Sequence, residues 1–179
     1  MNNHILRIAK LVVRFISGLN LFLGALVIFL MVAWPFEAAF FDYFKMVQDG
    51  SVFKFETKAS AQGTPLSEYS NFYFYFLCTK TVLIVYVLYR ILRLAMTIIN
   101  SISSLKTFKS ENVSAFRKMG MLFLVWMCLA IPSFQEVKES LQLAVTFQLK
   151  YAVYALICFV MAEIFKEGNN LMEENKLTI

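Results

Sequence analysis

Few side chains in this sequence combine a charge with an apolar setting, and Lys80 stands out among them. It lies about ten residues before Arg90, or about 15 Å along a helix, so an ammonium would sit near mid-bilayer if Arg90 marks an interface. A cation at that depth either faces other helices or a polar path, as a transporter would use it, or runs its long stem outward to the headgroups. Both readings stand at this point. The other groups available to such a path are Asn20, Cys78, Thr79, Thr81, Gln148 and Lys150. Lys150 lies only a turn or two inside an apolar run and reads as a snorkelling residue, and Glu163 as an interfacial carboxylate.

Catalytic chemistry has little to work with. The one histidine, His4, is near a terminus, and Cys78, Cys128 and Cys158 all fall in apolar stretches, where a thiol reads as a small buried hydrophobe. Paired metal-ligand spacing, a glycine-rich phosphate loop and a nucleophile elbow are all missing from the sequence. The expectation is a non-enzyme with no catalytic, cofactor or metal residues.

The elements that position these groups follow from composition. Of 179 residues, 59% are hydrophobic and only 16% charged, and the charges flank long apolar runs instead of alternating with them. The net charge of +5 therefore points to membrane topology, not to direct nucleic-acid binding. A bilayer core of about 30 Å needs roughly 20 apolar residues in a helix. Phe15 to Trp34 meets this without a charge, and Pro35 ends it. A secretory signal is the competing reading of the basic N-terminus, but the run is too long and further spans follow.

The predicted architecture is an all-α membrane protein: a four-transmembrane-helix bundle with a structured external loop between helices 1 and 2, forming one domain over 1–179. Spans are expected at about 15–35, 72–94, 118–134 and 143–165, with the polar stretch Gln135 to Ser140 as a tight helical turn between the last two. Lys and Arg cluster at the N-terminus (Arg7, Lys10, Arg14) and in the loop 95–117 (with Arg90, Arg93, Arg117 and Lys118 at its edges). Both, with the tail 166–179, are expected in the cytoplasm. Asp49-Gly50 in the external loop 36–70 is a hairpin signal between two aromatic-rich stretches. The second helix should run on past Ile98 and the chain restart at Ser110, a candidate N-cap, with Glu111 favourable in the first turn. The segment 110–120 and the tail from Phe165 should then lie together, through Arg117 and Lys118 facing Glu167, Glu173 or Glu174, and through Val113, Phe116, Leu171 and Met172.

Two strings in these polar segments, Phe108-Lys109-Ser110-Glu111-Asn112-Val113 and Glu173-Glu174-Asn175-Lys176-Leu177-Thr178-Ile179, resemble motifs of the bacterial membrane-protein family DUF2975. The first is similar to that family's approach to its third span, and the second, the more specific, to its C-terminal ending. The resemblance implies a bacterial inner membrane and, because such proteins are often encoded beside a small helix-turn-helix regulator, a cytosolic partner of that kind. Glu111, Asn112, Arg117 and Lys118 would form one side of a docking face, and Glu173, Glu174, Asn175, Leu177, Thr178 and Ile179 the other. The same residues could instead cap and pack helix ends. A small transporter with Lys80 in its path, or a structural or immunity-type membrane protein, are the alternatives, and a homo-oligomer is compatible with all of them.

Overall fold

An apolar run in hydrocarbon must satisfy its own backbone, and a helix does so within one segment. The computed structural model describes residues 3–36, 44–49, 52–57, 64–65, 70–103, 108–137, 140–145 and 148–177. Its framework is four long helices: α1 (Asn3–Ala33), α2 (Asn71–Ser103), α3 (Ser110–Ala130) and α4 (Leu149–Leu177). The first three are long and apolar enough to cross a membrane. In α4 the charge-free apolar stretch, Tyr151 to Ala162, is about 18 Å long, and Lys150, Glu163, Lys166 and Glu167 crowd its ends.

Packing runs in chain order, α1 on α2, α2 on α3 and α3 on α4. The α1–α2 pair is fastened at three levels. Trp34 stacks on Phe74 with ring centroids 3.9 Å apart, and its Nε1 donates to Asn71 Oδ1 at 2.8 Å. Deeper in, the Asn20 side-chain amide donates to the Val85 carbonyl at 2.9 Å. One turn further along α1, Gly24 lets Val85 approach so closely that a Cβ there would meet its Cγ1 at 2.9 Å. These pairs run antiparallel, so Arg14 comes level with Arg93. From Trp34 to Arg14 is about 30 Å along the helix, one hydrocarbon thickness, with aromatics at one edge and arginines at the other.

The α3–α4 pair zips the same way: Trp126 on Tyr151, Phe123 on Tyr154 and Phe116 on Phe165, with centroids 5.1, 5.6 and 5.0 Å apart. Two small clusters replace a central core. Phe74 and Cys78 pack against Val27, Leu30 and Met31 of α1, and Val113, Ala162 and Phe165 pack with Phe116 and Met161. Much apolar surface stays outward. On α1 the stripe Phe15, Phe22 and Phe29, each seven residues on, is mostly exposed, as suits a helix bathed in lipid.

The strands lie in the two connections that chain order places at the end opposite Arg14 and Arg93. Strand β1 (Phe44–Asp49) pairs antiparallel with β2 (Val52–Thr57), closing at Asp49 opposite Val52, so the hairpin expected from Asp49-Gly50 is present. A short β3 (Thr64–Pro65) adds to the other side of β1.

The connection between α3 and α4 corrects the expected boundaries. Instead of a tight helical turn at 135–140, β4 (Pro132–Val137) and β5 (Ser140–Val145) form a second hairpin that closes at Val137 opposite Ser140. Helix α3 stops at Ala130, not at 134, because Pro132 cannot donate to a continuing helix and sits well as the first residue of a strand. Helix α4 starts at Leu149, not at 143, since Leu141, Leu143 and Val145 alternate with period two, a strand pattern.

Candidate docking face where α3 meets α4

The face begins where the chain turns from α2 into α3. Lys109 is the N-cap, with extended backbone (φ −88°, ψ 148°), so Ser110 is the first helical residue and not the cap its type suggested. Glu111 does lie in the first turn, where a carboxylate complements the exposed amides. Asn112 is fully buried. Its side-chain amide donates to Ser101 Oγ at 2.8 Å and its backbone N–H to the Lys109 carbonyl at 3.0 Å, tying the end of α2 to the start of α3. Asn112 is therefore an internal fastening and not a surface residue of a docking face.

The second half of the face is the extension of α4. Val113 and Phe116 reach Ala162 and Phe165, and Phe108, just before α3, packs against Phe165 at 5.6 Å between centroids. Gly168 is what admits Phe108: a Cβ added there would run into the Phe108 ring. The motif phenylalanine thus seats on a glycine one turn beyond the end of the apolar run. The two segments expected to lie together do so, but through partners that differ in part. Arg117 pairs with Glu163 at 2.6 Å, not with Glu167, Glu173 or Glu174, and Lys166 adds a second contact to Glu163 at 3.3 Å. The hydrogen bond from Arg117, reinforced by Lys166, holds the Glu163 carboxyl below the usual carboxylate range. Leu171 and Met172, expected to close the contact, are instead exposed.

Beside the ion pair lies an open groove of about 470 Å³. Its floor is Val113, its walls carry Ser110, Ser114 and Asn169, and its rim carries Arg117, Lys118 and Lys166. Glu111, Lys118, Glu173 and Glu174 are exposed, and Glu173 accepts a hydrogen bond from Asn169 at 2.9 Å. The side chains of Asn175 and Leu177, and Thr178 and Ile179 altogether, lie outside the described residues. The arrangement offers a cationic, hydroxyl-lined recess over the buried Val113, suited to binding a surface that carries carboxylates.

Lys80 is half-buried in α2, on the same helical stripe as the buried Tyr73 and Val87 seven residues to either side. Asn20, a candidate for a polar path, is engaged between helices. Sequence reasoning passed over Phe108 and Gly168 as a pair and gave Glu163 no partner. The i to i+4 spacing of Ile164 and Gly168 shows only that a small residue lies on the helix, not what fills the space above it.

The fold and this face define a helical protein with membrane-length helices and a polar face built at one end. The chain belongs to the family described as protein of unknown function (DUF2975), which matches residues 58–179, from just after β2 to the end of α4 and beyond. No curated protein and no solved structure matches the chain.

Proposed function

We propose that this is a non-enzymatic protein of the bacterial inner membrane whose cytoplasmic face binds and restrains a small helix-turn-helix regulator. The observation that carries the reading is that the start of α3, which holds the first motif, and the part of α4 that leads into the second share one groove. Phe108 seated on Gly168, together with Arg117 paired to Glu163, joins them, and a cationic recess lined by Arg117, Lys118 and Lys166 remains open outward. Buried apolar anchors ringed by charge are how such interfaces reach specificity.

This topology has four crossings. The packing of α4 along α3 from Tyr151 to Phe165 supports the fourth, beside the three helices of membrane length. Lys150, over the Tyr151 ring at 5.2 Å, marks one edge and Glu163 the other. Arg14, Arg90, Arg93, Arg117 and Lys118 then share one side, which the distribution of positive charge assigns to the cytoplasm. A shift in helix packing caused from the outer hairpins or the bilayer would alter the groove and hence the regulator's release. A transport path is less well supported, because Asn20 donates to Val85 and Thr81 to the Leu77 carbonyl, both structural uses.

The test is recovery of a small helix-turn-helix regulator on the full chain purified in detergent from its own host. Ser114→Trp together with Lys118→Glu fills the groove and reverses its rim without touching the Arg117–Glu163 pair. Recovery is expected to fall at least tenfold, and unchanged recovery would remove the groove from the account.

A further inference from the structure

A second recess lies on the other side of the molecule, between α1 and α2, with a volume of about 380 Å³. Its polar lining is Arg14, Ser17, Tyr89 and Arg93, and its apolar lining includes Val13, Leu21, Leu92 and Met96. We infer that this recess binds the phosphodiester headgroup of an anionic phospholipid, with Arg14 and Arg93 as its two cationic ligands. The inference rests on the membrane placement of α1 and α2 and not on regulator docking.

Depth is the first support. Arg14 is the last charge before the uncharged run of α1, and the antiparallel contacts of Asn20 with Val85 and Trp34 with Phe74 bring Arg93 level with it, about 30 Å from Trp34. That is the depth of lipid phosphates. Charge is the second. Two guanidiniums share one recess, and none of its lining residues is acidic. Like charges held together repel unless an anion lies between them, and the guanidinium fork suits phosphate oxygens. Preparation of the donors is the third. Arg93 donates to the Tyr89 hydroxyl at 3.1 Å and lies over the same ring at 5.8 Å, which orients the fork and leaves the Tyr89 O–H to donate onward. Gly18 gives the recess its room, since a Cβ there would meet nothing within 4 Å. Basic recesses between membrane helices are a recognised mode of headgroup binding, and the apolar lining toward the membrane interior can take the start of an acyl chain.

The experiment is native mass spectrometry of the full chain in neutral detergent, where no charged membrane surface contributes, titrated with phosphatidylglycerol or phosphatidylcholine. The expected result is one phosphatidylglycerol bound at least tenfold more tightly than phosphatidylcholine. In Arg14→Gln/Arg93→Gln the preference should fall to within about threefold. Gly18→Leu, which fills the recess while keeping both charges and a good helix former, should lose it as well. Arg7→Gln/Arg90→Gln removes two charges outside the recess and should retain it. Equal affinity for the two lipids in the unaltered chain, or an equal loss in the Arg7/Arg90 control, would overturn the proposal. Displacement of the lipid by millimolar inorganic phosphate would overturn the lipid as the source of the anion.

Discussion

Replacing Gly168 by alanine tests the link between the first motif and α4. A Cβ at this position runs into the Phe108 ring, which is 38% exposed and so can swing outward. Full burial of a phenylalanine is worth about 1.5–3 kcal/mol, so releasing Phe108 costs roughly 1–2 kcal/mol. Alanine in a helix interior recovers about 1 kcal/mol relative to glycine. Gly168→Ala alone should thus destabilise by about 0–1 kcal/mol. In a Phe108→Ala background, where the ring is gone, the same substitution should be neutral or stabilising by up to about 1 kcal/mol. The coupling in the double-mutant cycle is then roughly 1–2 kcal/mol. Unfolding in mixed detergent micelles, followed by tryptophan fluorescence, gives the four free energies. Additivity within about 0.5 kcal/mol would show that Phe108 does not sit on Gly168, and the joining of the first motif to α4 would lose its main support.

Other substitutions probe the remaining elements. Asn20→Leu should weaken the α1–α2 contact by about 0.6 kcal/mol, and by no more than about 1.7, the range for hydrogen bonds between membrane helices; Gly24→Leu, which collides with Val85, should cost more, and the reverse order in micelle unfolding would contradict the geometry. Trp34→Phe keeps a ring to stack on Phe74 while losing the bond to Asn71, so it should unfold later than Trp34→Ala, which forfeits a ring pair worth about 0.5–1.5 kcal/mol; equal midpoints would refute the stack. Because the Glu163 carboxyl is held below its usual range, its pairing with Arg117 should persist at neutral pH and be lost only as pH falls through that lowered value; a spectroscopic probe near Arg117 that titrated above the ordinary carboxylate range would contradict this. Lys80→Met should leave regulator recovery and any transport or growth phenotype unchanged, and a transport or growth defect with intact folding would bring the transport reading forward.

How much of this was legible in the sequence depended on whether the signal was local. The uncharged run from Phe15 to Trp34, the arginines at Arg90 and Arg93 and the Asp49-Gly50 turn are local, and α1, α2 and the first hairpin follow from them. The convergence of the 110–120 segment with the tail was also legible, because the order of crossings forces it. The second hairpin was obscured because Leu141, Leu143 and Val145 adjoin an apolar helix, so the period-two stretch merged into a longer hydrophobic run. The roles of Asn112, Gly168 and Glu163 depend on partners 11, 60 and 46 residues away in the chain, which residue type alone does not disclose. Asn20 looked like a component of a polar path because an amide in an apolar run is unusual, and only the Val85 carbonyl opposite it explains its presence.

The central claim, that the groove beside Arg117 and Lys118 receives a cytosolic regulator, is most directly tested by a photo-activated cross-linker placed at Ser114 of the full chain in native membranes. A covalent adduct with a small helix-turn-helix regulator is expected, absent when the cross-linker is moved to the exposed Phe36 beyond the other end of α1. Adducts at Ser114 with lipid alone, or with a second copy of this chain and no regulator, would contradict it.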